Sequence, residues 1–275
     1  MTALRLLHLS DLHFGRPSVA AQIEEVENIL DRERFSAIVI SGDLSQRTRS
    51  GEFDRARSFM ESCESHAPVM VVPGNHDVAW WMCPLGVGSL DKMYERYRRF
   101  IREELEPVVR IPGATIVGLN SAHGIQSYTL TARPRDLSVV GALRAEQWAR
   151  AKASFDAAPA GDLRVLVFHH NLLRGDLSNR WGLANRAAGI DQALATGAEL
   201  VLCGHDHDEK VDQVSVGARK MVVACASTLT TRVRGGGPSS INFVEWDAAT
   251  ITVNDWEWSE RVGTFARAKW ARYTR

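Results

Sequence analysis

Five times in this chain of 275 residues, an apolar, strand-like run breaks off directly into histidine, aspartate or asparagine. The breaks fall at Asp11-Leu-His13, Gly42-Asp43, Gly74-Asn75-His76-Asp77, His169-His170 and Gly204-His205-Asp206-His207. In an α/β sheet the loops at the carboxyl ends of the strands open onto one crevice, so residues far apart in sequence meet there. Glycines ahead of Asp43, Asn75 and His205 let the chain turn sharply straight off the strand. A single Asp-x-His is ordinarily a surface turn. Five such breaks at strand ends point to one shared crevice.

The rest of the pattern agrees with such a fold. Leu4–Leu9, Ala37–Ile40, Val69–Val72, Thr115–Leu119, Leu163–Phe168 and Leu200–Cys203 read as buried strands, β-branched and bounded by turn residues. Between them, Ile23, Val26 and Leu30 recur at helical spacing, as do Phe53, Ala56, Met60 and Cys63. Leu90, Met93, Tyr94, Tyr97 and Ile101 mark a third helix, and Leu143, Trp148, Ala151 and Phe155 a fourth. After Gly204 the helices stop, and Lys210–Val216, Lys220–Ala226, Ile241–Trp246 and Thr250–Trp258 read as strands. Alternation followed by a strand-rich end predicts α/β layers with two sheets packed together. No repeat or linker divides the chain, so one domain is expected over 1–275, with a motif-bearing core at about 4–258 and a C-terminal tail at 259–275. Gly235-Gly236-Gly237-Pro238 reads as a turn, either a plain connection or a pocket wall.

Composition narrows the function classes. A chain this long, 45% hydrophobic and 24% charged, buries a full core without disulfides or structural metals, so a bound metal is expected to be catalytic. Lys plus Arg and Asp plus Glu both count 33, and this balance argues against a long nucleic acid as partner. The first strand begins at Leu4, which leaves no room for a signal peptide, and no run suggests a membrane span. The four cysteines, Cys63, Cys83, Cys203 and Cys225, form no Cys-x-x-Cys pair and are expected to be reduced thiols in a cytoplasmic protein. Oligomeric state is left open, a homo-oligomer included.

Carboxylate, amide and imidazole donors suit borderline to hard divalent ions. Asp11, His13, Asp43, Asn75, His169, His205 and His207 exceed what one tetrahedral ion needs. They suit two ions with a bridging carboxylate and open positions for water and substrate. Manganese, iron, zinc and cobalt all accept this donor set.

These blocks, in this order, resemble the calcineurin-like metallophosphoesterases over roughly residues 4 to 258. The resemblance implies a four-layer α-β-β-α sandwich, two mixed sheets face to face with helices outside. It implies that Asp11, His13 and His207 hold one metal, that Asn75, His169 and His205 hold a second, and that Asp43 bridges the two. His8-Leu-Ser-Asp-Leu-His-Phe-Gly15, Ser41-Gly-Asp-Leu-Ser-Gln46 and Val72-Pro-Gly-Asn-His-Asp-Val78 are similar to blocks of the bacterial class III cyclic nucleotide phosphodiesterases. So is Ser227-Thr-Leu-Thr-Thr-Arg-Val-Arg-Gly235 followed by Ile241-Asn-Phe. One departure is Asn171, where the family often has proline two residues after the ligand corresponding to His169.

The chemistry so implied is hydrolysis of small phosphodiesters, cyclic nucleotides among them, by a metal-activated hydroxide. His76 adjoins a ligand without being one, and is expected to stabilise the phosphoryl group or protonate the leaving group. Asp77 is expected to orient the ring of His76. Trp80 and Trp81 either stack a nucleobase or pack in the core. His123 reads as a surface-loop histidine, His8 as a satisfied core histidine and His66 as a helix-end residue. His170 is either a pocket wall or a mere neighbour of the ligand. Arg232 and Arg234 either meet a phosphate or lie solvated in a turn. The alternatives are a phosphomonoesterase, a glycerophospho- or phospholipid diesterase, a nuclease and a non-catalytic scaffold. Retention of all seven donors disfavours the last.

Overall fold

The computed structural model describes residues 4–130, 137–174, 182–233 and 236–275. Arg234 and Gly235 lie outside them. Strand β1 (Leu4–Leu9) shows how the layers form: Leu7 and Leu9 point one way, into a core shared with helices, while Leu6 points the other way, into a core between two sheets. A strand buried on both faces reads as a continuous apolar run, and the parallel strands β2 (Ala37–Ile40) and β3 (Val69–Val71) share that character. Helices α1 (Ala20–Arg32) and α2 (Ser50–Glu64) cover the outer face of this first sheet through Val26, Leu30, Phe53 and Met60.

The first sheet is completed by β10 (Ser240–Trp246), β11 (Thr250–Ser259) and β12 (Thr264–Thr274), in the order β12-β11-β10-β1-β2-β3. The second runs β4-β5-β6-β7-β9-β8, built from β4 (Val108–Ile111), β5 (Ala114–Gly118), β6 (Leu163–Val167), β7 (Leu200–Cys203), β8 (Lys210–Val216) and β9 (Arg219–Cys225). Both sheets are mixed: β1, β2 and β3 are parallel, as are β5, β6, β7 and β9, and the remaining pairings are antiparallel. Helices α4 (Ala145–Asp156) and α5 (Arg186–Thr196) cover the outer face of the second sheet through Trp148, Phe155 and Leu194. Helix α3 (Leu90–Phe100) starts from a Ser89 cap and packs on α2. The result is the expected four-layer α-β-β-α sandwich.

Three elements differ from the sequence reading. The expected tail at 259–275 is largely strand: β12 pairs antiparallel with β11 from Thr250↔Thr274 to Ser259↔Thr264. Its exposed Arg267, Lys269 and Arg272 give it the charged look of an edge strand, and that hid it. Strand β4 escaped because it is four residues long between Pro107 and Pro112. Helix α5 escaped because its buried face is small residues, Gly189 and Ala193 among them, with little apolar contrast. Among the described residues no helix is long and apolar enough to cross a membrane. All four cysteines are free and buried, with Cys203 Sγ 3.1 Å from Cys225 Sγ.

Candidate metal centre

The parallel strands β1, β2, β3, β6 and β7 end side by side, and their loops are laced together. Asp11 N donates to Gly42 O (3.0 Å), His13 N to Asp43 O (2.9 Å) and Gly204 N to His169 O (2.9 Å). Among the described residues, five of the seven non-glycine residues with positive φ are Asp11 (54°), His13 (41°), Asp43 (54°), His205 (74°) and His207 (55°). Backbone of this kind costs roughly 1–3 kcal/mol per residue and gathers where a side chain must be aimed against local preference. The glycines expected as sharp turns have a steric role as well. A Cβ on Gly74 would lie 2.2 Å from Asp43 Oδ1, and one on Gly204 only 1.8 Å from Ser10 Oγ.

All seven predicted donors converge. Ligand atoms of Asp11, His13, Asp43 and His207 lie within 4.8 Å of one another. His13 Nε2 is 3.1 Å from His207 Nε2, which is 3.0 Å from Asp11 Oδ1. Beside them, Asn75 Oδ1 is 3.0 Å from His205 Nδ1 and 3.2 Å from His169 Nε2, and the two ring nitrogens are 3.3 Å apart. Asp43 Oδ2 stands between the two groups, 3.7 Å from His13 Nε2 and 3.3 Å from His169 Nε2. Two donors about 2.1 Å from one ion, at tetrahedral to octahedral angles, lie about 3.0–3.4 Å apart. The donor atoms present therefore fit metal ions. Asp11 Oδ1, buried with no hydrogen-bond donor among the described residues, fits them too.

The remaining ring nitrogens are tied down in the manner of metal-site histidines. His169 Nδ1 bonds Ser41 O (2.9 Å) and His207 Nδ1 bonds Arg232 O (2.7 Å). Arg232 thus meets the site through its carbonyl, while its guanidinium donates to Gln46 Oε1 (3.0 Å). Asp11 Oδ2 accepts from Ser10 Oγ (2.6 Å) and His205 N (2.9 Å). Burial pushes the imidazoles of His13 and His205 down to about 3, so their lone pairs stay available. Burial also opposes ionisation of Asp43, but the imidazoles of His169 and His76 outweigh it and hold that carboxyl well below the ordinary range.

His76 and Asp77, expected to act as a pair, take separate partners. The His76 ring sits edge-on to His13, centroids 4.8 Å apart, and its Nδ1 bonds Gln46 O (2.8 Å). Asp77 does not orient that ring. Its carboxylate is buried and accepts from the amides of Ser45 (2.7 Å), Gly74 (3.0 Å) and Leu44 (3.1 Å), pinning one ligand loop to the next. Burial and the charge of Asp43 push the Asp77 carboxyl up to about 7. In the Gly-Asn-His-Asp turn the backbone curls inward, so the aspartate meets amides in place of the imidazole.

His123, read as a surface residue, is buried under Tyr94, whose hydroxyl donates to Ala122 O (2.9 Å) and lies 3.1 Å from His123 Nδ1. His170 is buried against His205 with its Nδ1 on Ser121 Oγ (2.8 Å), and Asn171 Nδ2 donates to Leu173 O (2.6 Å). His8 is buried with Nε2 on Ser41 Oγ (2.9 Å), although its Nδ1 lacks a partner among the described residues. His66 follows α2 and bonds Ser62 O (2.9 Å). Trp80 and Trp81 line a groove of about 520 Å³ together with Asn75, His76, Arg47 and Arg49. The two arginines and Gln46 escaped the sequence reading because nothing in a loop between strand and helix distinguishes them.

A buried carboxylate–imidazole crevice at the strand ends of an α-β-β-α sandwich is an architecture that can hold metal ions. A family model, "Calcineurin-like phosphoesterase", matches residues 4–209, and the chain belongs to that family. The family is one of phosphoesterases. No curated protein matches the sequence. Among solved structures the fold is similar to purple acid phosphatase PPD1 from yellow lupin seeds, with a TM-score of 0.69 and 11% identity over 100% of this chain and 54% of that one. PhoD has a TM-score of 0.70 and 10% identity over 100% of this chain and 70% of that one. GAP50, an anchor in the inner membrane complex of Plasmodium, has a TM-score of 0.59 and 12% identity over 93% and 84%. The chain spans about half the length of the lupin phosphatase, and at these identities the likeness is one of fold.

Proposed function

We propose that the protein is a dinuclear phosphodiesterase acting on small diesters, cyclic nucleotides included. Asp11, His13 and His207 would hold one ion, Asn75, His169 and His205 the other, and Asp43 would bridge them. The observation that carries the reading is Asp43 Oδ2, which faces both groups of donors at 3.7 and 3.3 Å. When bound, two such ions supply Lewis acidity to phosphoryl oxygens and activate water near neutral pH.

The protein's own groups supply the rest. His76 lines the groove with its Nδ1 held by Gln46 O, so as imidazolium it would have its other N–H to give to a departing alkoxide. Asp77 keeps the His76 loop docked on the Asp43 loop through the amides of Leu44 and Ser45. Trp80 and the half-exposed Trp81 give the groove an aromatic wall for one ester arm. A groove that runs from Asn75 and His76 to Trp80 and Trp81 offers room for a second ester arm and so favours a diester over a monoester. The block resemblance favours the cyclic nucleotide branch.

Metal analysis of protein saturated with manganese or zinc should give two ions per chain, and Asp43→Ala should weaken both sites. A hydrolysis panel of cyclic nucleotides, aryl mono- and diesters, glycerophosphodiesters and single-stranded DNA then tests the substrate. The aryl diester should be cleaved faster than its monoester. One ion per chain overturns the dinuclear reading, and monoester cleavage without diester cleavage overturns the phosphodiesterase reading.

A further inference from the structure

The loop joining the Asp43 turn to helix α2 is fixed far more firmly than a surface connection requires. Thr48 within it is buried and has a φ of 51°. The Glu52 carboxylate accepts from Arg47 N (2.7 Å) and Arg49 N (3.3 Å), Ser45 Oγ accepts from Thr48 N (3.1 Å), and Arg96 donates to Thr48 O (2.5 Å). Left-handed backbone at a β-branched residue is strained, and surrounding contacts must over-determine it to hold it. What this frame presents is two exposed guanidinium groups. Among the described residues the side chains of Arg47 and Arg49 have no carboxylate or carbonyl partner, whereas Arg57, Arg98 and Arg150 each have one. Both line the groove that holds Asn75 and His76, with Trp80 and Trp81 in the same wall set.

Two like charges held two residues apart repel each other, and a bound anion removes that cost. Guanidinium forks match phosphate oxygens in pairs, and a fixed backbone reduces the freedom lost on binding. From this we propose that Arg47 and Arg49 form a second-phosphate subsite, so that the preferred substrate is a nucleotide diester carrying a further phosphate group. The assignment of substrate rests on the phosphodiesterase reading above. The subsite itself rests on the loop and the groove. At about 520 Å³ the groove lies within the usual range for a small-molecule site, and a nucleoside with phosphates at both ends is of that class.

Calorimetric binding to manganese-saturated protein tests the subsite without turnover. Thymidine 3′,5′-bisphosphate should bind at least about tenfold tighter than thymidine 5′-monophosphate, the scale of one charge-assisted contact. That advantage should shrink as salt rises. The double variant R47A/R49A should bring the two affinities within about twofold. Equal affinities in the parent protein, or a double variant that keeps the full preference, overturn the subsite. The p-nitrophenyl esters of thymidine 5′-phosphate, with and without a 3′-phosphate, separate the two readings. Selective binding with neither ester cleaved upholds the subsite and strikes the diesterase reading. Cleavage of both esters with no selectivity does the reverse.

Discussion

The space between the two sheets has two ends of opposite character, made by the same strands a few residues apart. At one end Leu6, Val244, Trp246, Ile251 and Val253 are buried together with Val165 and Leu202 of the facing sheet. Two residues further along each strand come His8, Asn242 and Asp255, all buried and in cross-strand register. There His8 Nδ1, both amide atoms of Asn242 and both oxygens of Asp255 lack a hydrogen-bond partner among the described residues. A buried aliphatic side chain contributes roughly 1.5–3 kcal/mol. A buried, unsatisfied polar atom costs about 1–3 kcal/mol. The apolar end therefore stabilises the fold, and the polar end, which leads to the metal crevice, weakens it. Substitutions should divide along the same line.

The largest effect expected at the crevice is chemical. His76→Ala removes a half-buried ring that bonds one carbonyl, Gln46 O, and stands edge-on to His13. Turnover should fall by about 10²–10⁴-fold, with metal content and melting temperature close to the parent's. If the ring protonates the leaving group, the loss should be smaller for nitrophenyl esters than for alkyl ones. Loss of metal from this variant would mean that His76 is itself a ligand, and the contrast between chemistry and stability would break there.

How much of that contrast was legible depended on whether a residue advertises its partner. The donors were readable because Asp, His and Asn directly after an apolar run seldom serve the core, and seven did converge. Strands β2 and β7 were readable to the residue because burial on both faces leaves an uninterrupted apolar signature. Asp77 was misplaced because spacing gives adjacency to His76 but not the inward curl that hands its carboxylate to three amides. His123 was misplaced because a loop following a strand can fold under a neighbour such as Tyr94, and nothing local reports that. Strand β12 and helix α5 lack apolar contrast, and it is tertiary contact that makes them regular.

A middle-sized effect should come from the seam between the loops. Gly204→Ala places a Cβ 1.8 Å from Ser10 Oγ and 2.4 Å from Asp11 Oδ2, so either the Asp11 loop or the His205 loop must move. Overpacking of this kind costs roughly 1–3 kcal/mol, read as a lower midpoint in urea. Because both loops carry donors, metal affinity should fall along with stability. A variant with parent-like affinity would show that the seam is softer than these distances indicate.

The smallest effect tests the polar end alone, and its sign is opposite. Burial, helped by the charge of Glu257, pushes the Asp255 carboxyl up to about 6 despite the opposing Ser240 and Lys269. In the unfolded chain an aspartate titrates near 3.9, as in model peptides. A raised carboxyl binds its proton in the folded state while the unfolded state has already lost it. Stability linked to Asp255 should therefore rise as pH falls from about 6 to about 4, and the cost of the charged form is fully present above pH 6. Asp255→Asn removes that cost, so at pH 7.5 the variant should be more stable than the parent by about 1–2 kcal/mol. At pH 4 the two should be nearly equal. Denaturant midpoints at the two pH values decide the matter. A variant less stable than the parent at pH 7.5 would show that the charge of Lys269 outweighs the burial of Asp255, and the polar end would then be a contributor to the fold.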